Sequence, residues 1–234
     1  MFLSIIIPTL NEAENMAELL PHLRAKVPAG EGEIIVCDGG SADGTLSVAQ
    51  QQGADQALRC PRRGRAAQMN HAAQQARGEV LYFVHADTRP PATFWADIQA
   101  SLAQGYEAGT YRSSFDCNHL LLRVNAFFTR FDRLFCRGGD QSIYLRRDTF
   151  EALGGYREDF RIMEDFDLIR KLRKRGRFHI QPKSILISAR KYDGNSYFRV
   201  NVANLIVVLM YQLGASQESM VHAYRFMLSG VKNS

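Results

Sequence analysis

Glu33-Ile34-Ile35-Val36-Cys37-Asp38-Gly39-Gly40-Ser41-Ala42-Asp43-Gly44-Thr45 carries the reading that decides the fold: a β-branched run, a polar glycine turn and a helix start. Residues 33–37 read as a strand, Asp38-Gly39-Gly40 as the turn leaving it, and Ser41 as the N-cap of a helix continuing from Thr45 through residue 52. The same alternation extends outward in both directions. Upstream, residues 4–8 give a first strand, and 11–26 a helix with Glu12 and Glu14 in its first turn, where the helix dipole favours acids. Downstream come a short third strand at 57–60, a helix at 65–77 ended by Gly78 as its C′ residue, and an apolar fourth strand at 80–84. Strands alternating with helices predict βαβ units, hence an α/β protein with a mostly parallel sheet flanked by helices.

Beyond Pro90-Pro91 the pattern gives a helix to about residue 104, a strand at 108–115 and a helix at 119–135. Gly138-Gly139 opens a loop, followed by a strand at 141–145 and a short helix at 148–153 closed by Gly154-Gly155. A helix at 165–175 is stopped by Gly176, residues 178–188 add edge strands, and 196–213 and 217–228 form two C-terminal helices. No repeat or linker interrupts the chain. The organisation expected is one domain over residues 1–234: a nucleotide-binding half (1–90), an acceptor and catalytic half (91–195) and the C-terminal helices (196–234).

With 46% hydrophobic residues in 234, the chain has enough apolar surface for one α/β core. Cys37, Cys60, Cys117 and Cys136 are scattered without a CxxC pair, so neither a zinc site nor a disulfide framework is indicated, and a reduced, cytoplasmic setting is expected. The first residues lack the basic n-region of a signal peptide, and the apolar run at 205–210 is far short of the roughly 20 residues that span a bilayer. The net charge of +5 is concentrated at Arg62-Arg63-Gly64-Arg65, at Arg146-Arg147 and in the 170–177 run. Such clusters serve phosphates of a small ligand or an anionic membrane, or are simply solvated faces. Nucleic acid is not expected, because no helix-turn-helix, zinc finger or aromatic RNA-binding signature accompanies them.

In an open parallel sheet, ligands bind past the carboxyl ends of the strands. Those positions hold Thr9 and Asn11-Glu12, then Asp38-Gly39-Gly40-Ser41, then Arg62, Arg63 and Arg65, and finally His85-Ala86-Asp87. The mixture suits a nucleotide diphosphate: Asp38 takes a hydroxyl or a base N–H, the arginines face phosphate, and Asp87 holds a divalent cation bridging both phosphates. Neither GxGxxG nor GxxxxGK[ST] occurs, which weakens dinucleotide and ATPase readings. Each group also has a plainer use: the glycines as a turn, Ser41 and Asp87 as caps, His85 as a hydrogen-bonding side chain. Met163-Glu164-Asp165-Phe166-Asp167-Leu168 places three carboxylates at a helix start. There, Asp165 reads either as an N-cap or as a general base taking the proton of an attacking hydroxyl. A single base implies direct attack and inversion at the anomeric carbon.

Taken together, Ile6-Ile7-Pro8-Thr9-Leu10-Asn11-Glu12, Val36 to Thr45, His85-Ala86-Asp87, Gly138-Gly139-Asp140-Gln141 and Glu164-Asp165-Phe166-Asp167 resemble the family 2 glycosyltransferases of GT-A fold, over nearly the whole chain. The Gly64-Arg65-Ala66-Ala67-Gln68-Met69-Asn70 block resembles a small bacterial branch. The resemblance implies a Rossmann-like GT-A sheet and transfer of one sugar from a UDP- or GDP-sugar to a hydroxyl acceptor. It implies that Thr9, Glu12 and Asp38 hold the nucleoside, that Arg65 lies near the nucleotide, and that Asp165 is the base. Asp87, with His85 beside it, would bind Mn²⁺ or Mg²⁺. Asn11, Gly39, Ser41 and Glu164 belong to the same substrate-binding set, and Gly138 to Gln141 would line the sugar or acceptor pocket through Asp140.

The chain departs from the family's DxD metal motif, since His85 replaces the first acid, and it lacks the QxxRW motif of processive synthases. Two rivals stand beside this reading: a nucleotidyltransferase, which would carry a glycine-rich loop with Arg and Lys after strand one, and a non-catalytic sugar-nucleotide-binding protein. The terminal helices, with the apolar run at 205–210 and Arg190, Lys191 and Arg199 upstream, cover the core, meet a second copy in a homodimer, or touch a membrane that carries a lipid-linked acceptor. Tyr192 to Tyr197 is read as a mobile lid.

Overall fold

The computed structural model describes residues 1–133, 136–137, 141–192 and 195–228. Its first half follows the βαβ pattern: β1 (Leu3–Thr9), α1 (Ala13–Arg24), β2 (Gly32–Asp38), α2 (Thr45–Gln51), β3 (Gln56–Arg59), α3 (Arg65–Gln75) and β4 (Val80–Phe83). The second half adds β5 (Thr88–Arg89), α4 (Phe94–Ala103), β6 (Ala108–Phe115), α5 (Leu120–Phe128), β7 (Ile143–Arg146), α6 (Arg147–Ala152), α7 (Glu164–Lys174) and β8 (Phe178–Ile187). A 3-10 turn (Ala189–Tyr192) leads into α8 (Tyr197–Gln212) and α9 (Gln217–Met227).

The strands form one sheet in the order β3-β2-β1-β4-β7-β6-β8-β5. The pairs β3–β2, β2–β1, β1–β4 and β6–β8 are parallel, whereas β7 runs antiparallel to both its neighbours, and β5 to β8. Because both faces are covered, β1 reads as a continuous apolar run. Ile5 and Ile7 join the core under α1 and α4, while Ile6 points to the opposite core under α3, α6 and α7. Each such burial contributes roughly 1.5–3 kcal/mol. A third, small cluster of Val200, Ala203 and Leu228 joins α8 to α9.

Several local expectations are corrected. Ser41 does not cap α2; that helix starts after Gly44, which is left-handed with φ +83°. Asp165 is not an N-cap either, because α7 begins after Met163, at φ +68°, and Asp165 lies inside the first turn. Gly78 is no left-handed C′ residue. Instead, a side chain there would collide with β1: a Cβ would stand 2.5 Å from the Ser4 amide nitrogen and 2.7 Å from the Phe2 carbonyl oxygen. Residues 178–187 form one strand, not several; Leu186 and Ile187 are covered by the two-residue edge strand β5, while the rest of β8 pairs with β6 alone. The helix expected over 119–135 ends at Phe128, and residues 134–135 lie outside the described residues. By contrast, Gly154, Gly155 and Gly176 all carry positive φ where helix ends were read.

Candidate functional site

Parallel pairing sets Thr9, the last residue of β1, beside Asp38, the last of β2. The Val84 amide donates to the Ile6 carbonyl at 2.9 Å, so His85 and Asp87 leave β4 at the same sheet edge. A cleft of about 510 Å³ opens there, walled by Thr9, Asn11, Glu12, Gly39, Gly40, Arg63, Arg65, His85 and Asp87 among others. Pockets of ~300–1,000 Å³ are the usual size for small ligands and cofactors.

The two loops at this edge are locked together before any ligand arrives. The buried Asp38 carboxylate accepts from the Gly40 and Ser41 amides, both at 2.8 Å, from the Ser41 hydroxyl, and from Thr9 Oγ1 at 3.3 Å. Asp38 therefore shapes its own loop, and Gly39 and Gly40 are what the loop presents to the cleft. Asn11, left-handed at φ +54°, donates its amide to Ser41 Oγ at 2.7 Å and accepts from the Ala42 amide at 2.9 Å. Asparagine tolerates that conformation better than most residues. Gln68 of α3 closes the base of the cleft: its Nε2 donates to the Thr9 and Cys37 carbonyls at 2.7 and 2.8 Å.

The three carboxylates of α7 have different surroundings. Asp167 is held by Arg170 at 3.0 Å, Lys171 at 2.9 Å and the Tyr211 hydroxyl at 2.8 Å, so it docks α8 onto α7. Glu164 takes the Arg65 Nε. Asp165, only 4% exposed, stands behind the cleft wall, with Arg65 Nη2 at 3.5 Å and His85 Nε2 at 3.6 Å from its Oδ2. Burial alone raises a carboxyl pKa, but the Arg65 charge and His85 outweigh it and hold Asp165 below the ordinary carboxylate value. A buried, ionised carboxylate held between an arginine and a histidine is costly to place, and such groups gather where a protein does chemistry.

Gln141, by contrast, is buried away from the cleft, donating from Nε2 to the Cys136 carbonyl at 2.8 Å. Asp140 and Gly138-Gly139 lie outside the described residues, as do residues 193–194 of the expected lid. Arg190 was missed as a site residue. From the turn before α8, its Nη2 reaches Glu12 at 2.7 and 2.9 Å and Asp87 at 3.4 Å. Contacts across so many residues leave no local sequence signal; Gln68 stood in a quoted motif without a role.

The glycosyl transferase family 2 model matches residues 4–157. The chain belongs to that family. Among curated relatives, a succinoglycan biosynthesis protein ExoA of Rhizobium meliloti is 25% identical over 193 residues, covering 74% of this chain and 58% of that protein. This chain thus spans a little over half the length of that relative. Among solved structures, Staphylococcus aureus TarS 1–349 with UDP superimposes with TM-score 0.68 at 19% identity, covering 97% of this chain and 70% of the other. A mannosyltransferase of Pyrobaculum calidifontis, in complex with GDP-Man and Mn²⁺, gives TM-score 0.68 at 21% identity, covering 96% and 69%. At these identities the structural likeness establishes the fold, a GT-A arrangement of mixed α/β layers.

Family 2 membership raises the question of a divalent cation. Among the described residues, no three His, Cys, Asp or Glu side chains converge on one point. Asp87 faces the cleft, whereas His85 turns its Nε2 towards Asp165. One hard carboxylate oxygen fits a Mg²⁺ or Mn²⁺ whose remaining ligands are diphosphate oxygens and water, and does not fit a closed protein cage.

Proposed function

We propose that this domain transfers one sugar from a nucleotide-diphosphate sugar to a hydroxyl acceptor, with inversion. The observation that carries the reading is the cleft at the carboxyl edge of the sheet, where a glycine loop, Arg63, Arg65 and Asp87 meet, with the ionised Asp165 directly behind. Thr9, Asn11, Glu12, Asp38, Gly39 and Ser41 form the nucleoside end, Asp38 and Ser41 by fixing the loop. Arg65 serves twice, facing the nucleotide and holding Glu164 and Asp165 in place. Asp87, with His85 nearby, would hold Mn²⁺ or Mg²⁺, which supplies positive charge to the departing diphosphate. Asp165 takes the proton of the attacking hydroxyl as the new glycosidic C–O bond forms on the face opposite the leaving group. Asp140 belongs to the acceptor side of this proposal; Gln141, its amide buried on the Cys136 carbonyl, contributes there only by fixing the backbone beside it. For the acceptor we propose a lipid-linked hydroxyl compound, on the strength of the exposed apolar side chains of α8, whose leading turn reaches the cleft through Arg190.

The burial of Asp165 favours one rival, a domain that binds a sugar nucleotide without turning it over. Asp165→Asn separates the two. On our reading, turnover falls about 10²–10⁴-fold, the range of general-base contributions, while donor affinity stays within about twofold. NMR of the first-formed product then shows the anomeric configuration opposite to the donor's. Undiminished turnover in the variant, or a retained configuration, contradicts the mechanism.

A further inference from the structure

Most of the large exposed apolar side chains lie on two helices. On α5 these are Leu120, Val124, Phe127 and Phe128, spaced i, i+4, i+7, i+8; on α8 they are Phe198, Val202, Leu205 and Leu209, spaced i, i+4, i+7, i+11. Each set is one helical stripe turned to solvent instead of to the core.

The two helices touch through a few polar and aromatic side chains. Asn125 Nδ2 donates to Asn201 Oδ1 at 2.8 Å, the Tyr197 hydroxyl donates to Asn125 Oδ1 at 2.7 Å, and the His119 and Tyr197 rings stack at 6.2 Å. Asn125 thus meets both Tyr197 and Asn201, so the first turns of α8 lie against α5. At about 100° per residue, the α8 stripe stands roughly a quarter turn from Tyr197 and Asn201, and the α5 stripe roughly half a turn from His119 and Asn125, so the contact between the helices covers neither stripe. Exposed apolar surface of this extent marks an interaction site.

Charge decides what it meets. In residues 117–133 and 196–216 the bases are Arg123, Arg130, Arg133 and Arg199, and the one acid, Asp132, is paired with Arg173 at 2.8 Å. Arg130 lies 3.8 Å above the exposed Phe127 ring, with a cation and an aromatic face in one place. Between α5 and β6 a groove of about 910 Å³ is lined by Arg112, Arg123 and Arg130 together with Phe127 and Phe128. Aromatic and aliphatic side chains rimmed by arginine, with almost no acid, complement an anionic bilayer surface.

The turn that leads into α8 reaches the donor cleft. The turn before α8 is fixed by Asp116 Oδ1, which accepts from the Ala189 amide at 2.8 Å, and by Tyr192, packed between Phe115 and Tyr197. Arg190 of that turn reaches Glu12 and Asp87.

We infer that α5 and α8 form a docking surface for anionic phospholipid membranes, which presents the cleft to an acceptor carried in the bilayer. The acceptor clause rests on the glycosyltransferase reading, but docking is measured without donor, so the two fail separately. The test is flotation of the full chain with phosphatidylglycerol/phosphatidylcholine vesicles and with phosphatidylcholine alone, at low and high salt. The expected result is binding to the anionic vesicles, weakened by salt. Phe127→Ser/Phe128→Ser is expected to lower partitioning by roughly tenfold or more, and Arg123→Glu/Arg130→Glu to remove the anionic preference, with unchanged melting curves. Absence of wild-type binding overturns the inference, as does wild-type binding by both folded double variants. A dimer in light scattering that Phe127→Ser/Phe128→Ser splits, without vesicle binding, also overturns it and assigns the face to a second copy.

Discussion

Asp167 and Asp165 sit two residues apart in α7, yet the account gives them separate work. Asp167 is structural: burial raises its carboxyl pKa, but the Lys171 and Tyr211 hydrogen bonds and the charges of Lys171 and Arg170 bring it below the ordinary value. A carboxyl whose pKa is lower folded than unfolded stabilises the fold above the unfolded value of about 3.9, and loses that contribution as pH falls through this value towards the folded pKa. Asp167→Asn is therefore expected to cost about 2 kcal/mol at pH 7, and to show a flatter decline than wild type between about pH 5 and 3. Denaturant unfolding across that range checks it; parallel curves contradict it. At this scale the sequence was informative about kind and silent about partner. It showed three carboxylates at one helix start, but Tyr211, 44 residues away, and Arg65, 99 residues from Glu164, are placed by tertiary packing alone.

The elements of the first half were legible because β-branched runs and glycine turns act locally. The strand read at 108–115 appears as Ala108–Phe115, and Gly154, Gly155 and Gly176 end helices in the left-handed conformation as read. The misreadings share a cause. Ser41, Asp165 and Gly78 have the right chemistry for caps, but other contacts claimed them: Ser41 the Asp38 carboxylate three residues back and the Asn11 amide from β1's end, Asp165 the side chains of Arg65 and His85, Gly78 a close approach to β1. Strand β5, two residues long, carries no period to read. The Gly78 correction is testable. Since the nearest atoms are backbone, Gly78→Ala is expected to destabilise the fold by about 1–3 kcal/mol, read as a lower denaturant midpoint with unchanged m-value. An unchanged or raised midpoint contradicts it.

For the whole molecule, the parallel half of the sheet aligns loops that are far apart in sequence, and the antiparallel β7 joins that half to the part bearing β6, α5 and the terminal helices. Among the described residues no helix is long and apolar enough to cross a membrane; the unpartnered stripes of α5 and α8 lie on the surface instead. The central claim is that the cleft beneath Gly39-Gly40 is a donor site whose cation is shared between Asp87 and a diphosphate. The most direct measurement is the melting temperature of wild type and Asp87→Ala with UDP, GDP, CDP or TDP, each with and without Mn²⁺. A ligand at 100 times its Kd adds about 2.7 kcal/mol, a rise of about 5–10 °C for a chain of this size. The expected result is such a rise for at least one diphosphate, larger with Mn²⁺, and loss of the Mn²⁺ increment in Asp87→Ala. No rise with any diphosphate, or an Mn²⁺ increment that survives in Asp87→Ala, contradicts it.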